Sequence, residues 1–304
     1  MSAGPRLIRV PSRLLPVSYT ILFLVKASRL FVLCALLLFV SCYPAAHAQT
    51  TSTPLTIGQT FTLPSEALHE TRRINVYVPP GYTDSAAIRL PVLYMPDGGQ
   101  KEDFLHVAGL VQVLTGNGTM RPFILVGIEN TQRRRDLTGP TNSEEDRKIA
   151  PQVGGSAAFR LFIRTELMPL IRERYHTAAE TAIMGESLAG LFVLETLLLE
   201  PELFDTYIAF DPSLWWNKGQ LVDQAKALLT SYSGPAKTVY VASSSDDAQI
   251  PESRRLPSAL KAAKRTIRWY YESMPEETHA TIYHPAALHA LRTVFKPTAH
   301  TAGK

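Results

Sequence analysis

Short apolar runs that alternate with longer amphipathic ones constrain this chain more than any other feature. Strands are expected at Ile74–Val78, Val92–Met95, Phe123–Gly127, Thr181–Met184, Tyr207–Phe210, Thr238–Ala242 and Ile267–Tyr271. Between them lie helical patterns near 102–114, 156–174, 188–199, 219–230 and 257–264, and a last one near 285–296. A strand buried on both faces reads as a brief Val/Ile/Leu run, and a crossover helix follows it when its neighbour runs parallel. The pattern therefore predicts repeated βαβ units around a mostly parallel central sheet flanked by helices. The polar stretch from Thr131 to Gly155 fits neither period and reads as a long functional loop.

The first 48 residues obey a different rule. They hold Arg6, Arg9, Arg13, Lys26 and Arg29 and no acid, then an 11-residue apolar run, Leu30–Val40, and Ala46-His47-Ala48. This is the order of a secretory signal peptide, cleaved before Gln49. The run is too short to cross a hydrocarbon core of about 30 Å as a helix. The Phe39-Val40-Ser41-Cys42 stretch loosely resembles a bacterial lipobox, which leaves a lipid anchor at Cys42 open. The expected organisation is a signal peptide over 1–48 and one domain over 49–304, periplasmic or secreted, with no membrane span in the mature form.

That leader also accounts for the net charge of +4, because removing its five bases leaves 26 basic against 27 acidic side chains. The basic balance thus gives no support to a nucleic-acid partner. Both cysteines, Cys34 and Cys42, lie in the leader, so the mature domain has neither a thiol nucleophile nor a disulfide scaffold. Its histidines lack metal-ligand spacing and no glycine-rich phosphate loop is present, so neither a metal nor a cofactor is expected.

Gly185-Glu186-Ser187-Leu188-Ala189 matches a nucleophile elbow, in which a serine sits on a sharp strand-to-helix turn between residues small enough to let the chain cross itself. The turn would lift the Ser187 hydroxyl above the C-terminal edge of the sheet. It would aim the Leu188 N–H, at a helix N-terminus, toward a developing oxyanion. The pattern alone is weak, and the chain holds a second copy, Gly154-Gly155-Ser156-Ala157-Ala158. That copy follows a charged loop rather than a strand, so it reads as a helix start capped by Ser156.

The fold's chain order is Ser, then Asp or Glu, then His. His279, in the loop after the last strand, is the expected base, with His284 as second choice. For the acid, the strand Thr238–Ala242 runs into Ser243-Ser244-Ser245-Asp246-Asp247; Asp247 is preferred and Asp246 is the alternative.

Several segments in order resemble the esterase D-like family of α/β-hydrolases, which includes periplasmic siderophore esterases. They are 73–82 (RINVYVPPGY), 91–99 (PVLYMPDGG), Ile128-Glu129-Asn130 with Arg135-Asp136-Leu137-Thr138, the Gly154-Gly155 helix, the elbow, 211–216 (DPSLWW) and Glu277-Thr278-His279. The resemblance implies the α/β-hydrolase fold over nearly all of 60–296, supports Ser187 and His279, and implies a second oxyanion donor at Gly98 or Gly99. Ala189 and the Asp pair depart from the family's usual glycine and glutamate.

The expected activity is hydrolysis of a small-molecule carboxylic ester through an acyl-enzyme. Arg133-Arg134-Arg135 could attract an anionic, siderophore-type substrate, with Arg135 as the candidate contact, or form a solvated loop. Trp215 and Trp216 could wall an aryl or sugar group, or one could be core. The alternatives are a carbohydrate-linked feruloyl or acetyl esterase, and a catalytically silent envelope binding protein of the same fold.

Overall fold

The computed structural model describes residues 28–35, 52–82 and 88–297. The chain divides into two units, Met1–Leu55 and Thr56–Lys304. In the first, residues 28–35 form a helix (α1) with Cys34 exposed. The expected cleavage site and Cys42 lie outside the described residues. Among those residues no helix is long and apolar enough to cross a membrane.

The second unit is built on one eight-stranded sheet. Its strands are β1 (Gln59–Ser65), β2 (Glu70–Tyr77), β3 (Leu90–Pro96), β4 (Ile124–Ile128), β5 (Thr177–Glu186), β6 (Thr206–Phe210), β7 (Lys237–Ser244) and β8 (Ile267–Met274), in the order β1-β2-β4-β3-β5-β6-β7-β8. β1 pairs antiparallel with β2 and β2 with β4, and every other pairing is parallel. β3, β4 and β6 are buried along their whole length, as their unbroken apolar runs require. All seven expected strands are present. β1 escapes the sequence reading because Gln59–Ser65 lies at the sheet edge, mostly solvent-facing, and offers no apolar run.

The helices of this unit are α2 (Phe104–Gly116), the short α3 (Arg133–Asp136) and α4 (Glu144–Lys148), α5 (Ser156–Phe162), α6 (Met168–Arg174), α7 (Leu188–Leu199), α8 (Gln220–Ser231), α9 (Leu256–Lys261) and α10 (Tyr283–Val294). One apolar core gathers α5, α6, α7, α8 and α9 on one face of the sheet, and a second gathers α2 and α10 on the other. The expected 156–174 helix is continuous but widens into a π turn at Ile163–Leu167. Pro169 follows in the next turn, and a proline cannot donate the bond an α-helix would ask of it there. Apart from Glu195 and Thr196, α7 is apolar, and ten of its twelve residues are buried. A helix of that composition belongs in the middle of the molecule, where it fixes the turn that precedes it.

Candidate active site

The turn between β5 and α7 carries Ser187 at φ 59° and ψ −119°, a costly conformation for a residue with a Cβ. Its neighbours hold it there. Ser187 N–H donates to the Phe210 carbonyl at 3.0 Å, and the Ser187 carbonyl accepts from Ser213 and Leu191 N–H at 3.0 and 2.9 Å. A Cβ on Gly185 would lie 2.6 Å from the Ala189 Cβ, and one on Gly190 would lie 3.0 Å from the Phe210 carbonyl oxygen. The departure at Ala189 is therefore accommodated, because its methyl occupies the space that Gly185 leaves.

His279 sits in the loop between β8 and α10. Its Nε2 lies 3.1 Å from Ser187 Oγ and its Nδ1 lies 3.1 Å from Asp211 Oδ2. The hydrogen bond to Asp211 raises the imidazole pKa, against the opposing effect of burial; the carboxylates of Glu186, Asp211 and Asp247 add to the rise. Asp246 accepts the His279 backbone N–H at 2.9 Å and so anchors the loop that carries the ring.

The acid position differs from the sequence expectation. Asp247 does not touch the imidazole: it is 4% exposed, and its two oxygens accept from Ser243 and Ser253 hydroxyls at 2.6 and 2.5 Å. Asp246 meets the backbone of His279 and not its ring. The carboxylate facing Nδ1 belongs to Asp211, at the end of β6, one strand before the one expected. Asp211 is 2% exposed, at φ 39°, and accepts Ser244 N–H at 2.6 Å and Ser244 Oγ–H at 2.5 Å. The argument that selected Asp247, a carboxylate just past a strand end, applies equally to Asp211. Only the folded structure separates the two: His279 Nδ1 lies 3.1 Å from Asp211 Oδ2, whereas the Asp247 oxygens are taken up by Ser243 and Ser253.

The Leu188 N–H opens α7, and the first N–H groups of a helix have no intrahelical acceptor. It is available to an oxyanion beside Ser187. Gly98 and Gly99 are not free in the same way. Gly98 N–H donates to the Ile128 carbonyl at 3.0 Å, and Gly99 N–H donates to Glu102 Oε2 at 2.7 Å. The glycines are required here for close packing: a Cβ on Gly98 would lie 2.3 Å from Gly127 Cα, and one on Gly99 would lie 2.8 Å from that Glu102 oxygen.

The arginine triplet is tied down. Arg135 donates to Glu70 and Asp136, Arg134 bonds the Ile149 carbonyl, and Arg133 clasps Asp97 through two 2.7 Å bonds. The expectation of Arg135 as a substrate contact gives way to this network, since both its neighbours are carboxylates and its side chain is 17% exposed. Trp216 is core, 5% exposed, with its Nε1–H on the Gly139 carbonyl at 2.9 Å. Trp215 is half-buried beside it, two residues beyond Ser213. His284 faces His106 across 2.9 Å and not Ser187. Around the serine, burial and neighbouring carboxylates push Glu186 up to about 7 and Asp103 up to about 6. Among the described residues no three His, Cys, Asp or Glu side chains could hold a metal ion together.

An eight-stranded, mostly parallel sheet with a serine on the turn after its fifth strand, facing a histidine from the loop after the eighth, defines an α/β-hydrolase fold. A model of the family described as putative esterase matches residues 65–294, and the chain belongs to that family. It is 32% identical over 185 residues to the ferri-bacillibactin esterase BesA of Bacillus subtilis, covering 55% of this chain and 63% of that protein. It is 38% identical over 102 residues to a siderophore triacetylfusarinine C esterase of Aspergillus fumigatus, covering 32% of this chain and 33% of that protein. These matches thus span less than two thirds of either relative. Among solved structures, an IroE-like serine hydrolase from Shewanella oneidensis superposes with a TM-score of 0.70 at 27% identity, over 78% of this chain and 80% of that one.

Proposed function

We propose that the protein is a serine ester hydrolase in which Ser187, His279 and Asp211 form the proton relay. The observation that carries this reading is the continuous line of hydrogen bonds from Ser187 Oγ through both ring nitrogens of His279 to a buried carboxylate. With Nδ1–H held by Asp211, the imidazole presents an unprotonated Nε2 to the serine. His279 takes the hydroxyl proton as Oγ attacks the ester carbonyl, and the Leu188 N–H receives the developing oxyanion. The alcohol leaves with the proton from Nε2. A water deprotonated by the same nitrogen then cleaves the acyl-enzyme and restores Ser187. Asp211 stabilises the transient imidazolium from a site that water barely reaches.

The relatives named above point to the ester class. The Aspergillus fumigatus relative is by name a siderophore triacetylfusarinine C esterase and the Bacillus subtilis one a ferri-bacillibactin esterase, and we infer that this chain hydrolyses siderophore-type esters. The leader over residues 1–48 supports export, which suits cleavage of an extracellular chelator's ester.

Labelling with a fluorophosphonate, read by mass spectrometry, tests the reading. Label on Ser187 that is lost in His279→Ala is the expected result. A folded protein that takes no label, or takes it on Ser156, removes the proposal. Release of free acid from a triester siderophore, compared with aryl and acetyl-sugar esters, tests the substrate class. The mass of the exported protein tests cleavage after Ala48 and any lipid at Cys42.

A further inference from the structure

Ser187 Oγ has a second hydroxyl beside it. Ser213 Oγ lies 3.4 Å away, on a residue only 4% exposed. The main chain places it there. Ser213 N–H donates to the Ser187 carbonyl at 3.0 Å, and the ring of Pro212 fixes the φ of the residue before it. A Cβ on Gly190, in the first turn of α7, would lie 3.1 Å from Pro212 Cα, so the helix packs closely against this turn. One turn, Asp211-Pro212-Ser213, thus carries both the carboxylate that faces His279 Nδ1 and the hydroxyl that faces Ser187 Oγ.

Proton counting gives that hydroxyl a direction. Among the described residues the Ser213 hydroxyl has one hydrogen-bond partner, Ser187 Oγ. The Ser187 hydroxyl has two, Ser213 Oγ and His279 Nε2, the latter at 3.1 Å. Each hydroxyl owns a single proton. If Ser187 donated to Ser213, Nε2 would receive no proton and the buried Ser213 proton would have no acceptor, which is costly. If Ser213 donates to Ser187, every proton is placed. Ser187 then donates to Nε2, and Nδ1–H donates to Asp211, which also accepts from Ser244 Oγ. In a chain of this kind each bond polarises the next.

We propose that Ser213 is a positioning residue for the nucleophile: its hydroxyl donates to Ser187 Oγ and so commits the one Ser187 proton to His279. The inference rests on the serine hydrolase reading above and adds a residue outside the Ser187, His279 and Asp211 relay. The 3.4 Å separation is long for two hydroxyls, which ordinarily meet at about 2.7–2.8 Å. The bond therefore orients Oγ while yielding readily as Oγ moves onto the ester carbonyl carbon.

Rates of fluorophosphonate labelling, measured across pH, test the assignment. Ser213→Ala should lower the plateau rate at Ser187 about tenfold. The midpoint of the acidic limb should stay where it is, because Asp211 still holds Nδ1. Ser213→Cys fills the same space with a weak donor and should be as slow as Ser213→Ala. Thermal unfolding reports that each variant is folded, and either one alone carries the comparison with the unaltered protein. A plateau unchanged in Ser213→Ala, or restored in Ser213→Cys, would overturn the proposal. An acidic limb displaced to lower pH would do so too, since it would mean that the turn had shifted and carried Asp211 away from the ring. No label on Ser187 of the unaltered protein removes the hydrolase reading and this inference with it, whereas labelling indifferent to the Ser213 substitutions removes this inference alone.

Discussion

The chain writes one short pattern twice, a glycine, any residue, a serine, any residue and an alanine, and folds the two copies into different objects. At Ser187 the pattern follows a buried strand and precedes a largely apolar helix that is buried over ten of its twelve residues. The serine is forced to φ 59°, and its hydroxyl stands 3.1 Å from an imidazole. At Ser156 it follows the polar loop and opens α5. That serine is fully buried, its N–H donates to the Thr138 carbonyl at 3.1 Å, and its hydroxyl has no partner. Gly155, and not Ser156, is the residue that caps the helix. The motif therefore carries no chemistry by itself. A strand that ends abruptly and a helix buried on every side supply the strain and direction that make a serine accessible.

Exchanging each serine for alanine breaks this comparison most sharply. Ser187→Ala should lower kcat by about four to six orders of magnitude. Ser156→Ala should leave kcat within about twofold, since it removes an oxygen with no hydrogen bond to lose. Thermal unfolding should move little in either case. Comparable losses of turnover in both would dissolve the distinction.

The acid provides the next test, because two buried aspartates at neighbouring strand ends compete for one role. Asp211→Asn should cost about 10^3–10^4-fold in kcat, since an amide favours the wrong imidazole tautomer. Asp247→Asn should cost less than about tenfold, because its partners are serines. The pH profile sharpens this. Asp211 is the largest influence raising the His279 pKa, and the base must be neutral to act. The acidic limb of kcat/KM should therefore rise at a pH above that of an ordinary histidine, and should move to lower pH in Asp211→Asn. An acidic limb that moves instead in Asp247→Asn would reverse the assignment.

What the sequence made legible follows from how locally each feature is encoded. Seven strands and the elbow were readable because a buried parallel strand and a strand–turn–helix are written in contiguous residues. His279 was readable from chain order. Asp211 was not distinguishable from Asp247, because both close a strand and the difference lies in which strand end His279 overhangs. The arginine triplet misled for a related reason: Glu70, which helps to hold Arg135, is 65 residues away in β2. Gly98 and Gly99 were expected to supply the second oxyanion donor, but their N–H groups point to Ile128 and Glu102, and only the folded loop shows those acceptors.

The smallest effects expected separate the two adjacent tryptophans, a second pair that one dipeptide cannot tell apart. Trp216→Phe removes a buried N–H donor from the Gly139 carbonyl and leaves a gap in the core, so it should destabilise the fold by about 1–3 kcal/mol with KM unchanged. Trp215→Phe alters a half-buried ring in the segment that follows Ser213, whose hydroxyl lies 3.4 Å from Ser187 Oγ. It should leave the unfolding midpoint nearly unchanged and shift KM for aryl esters about two- to fivefold, roughly the loss of one aromatic contact. The relevant readout is the split between midpoint and KM across the two variants, since either number alone follows from simple loss of packing. If Trp215→Phe moved only the midpoint, Trp215 would join Trp216 as core, and the wall beside the serine would have to come from other residues.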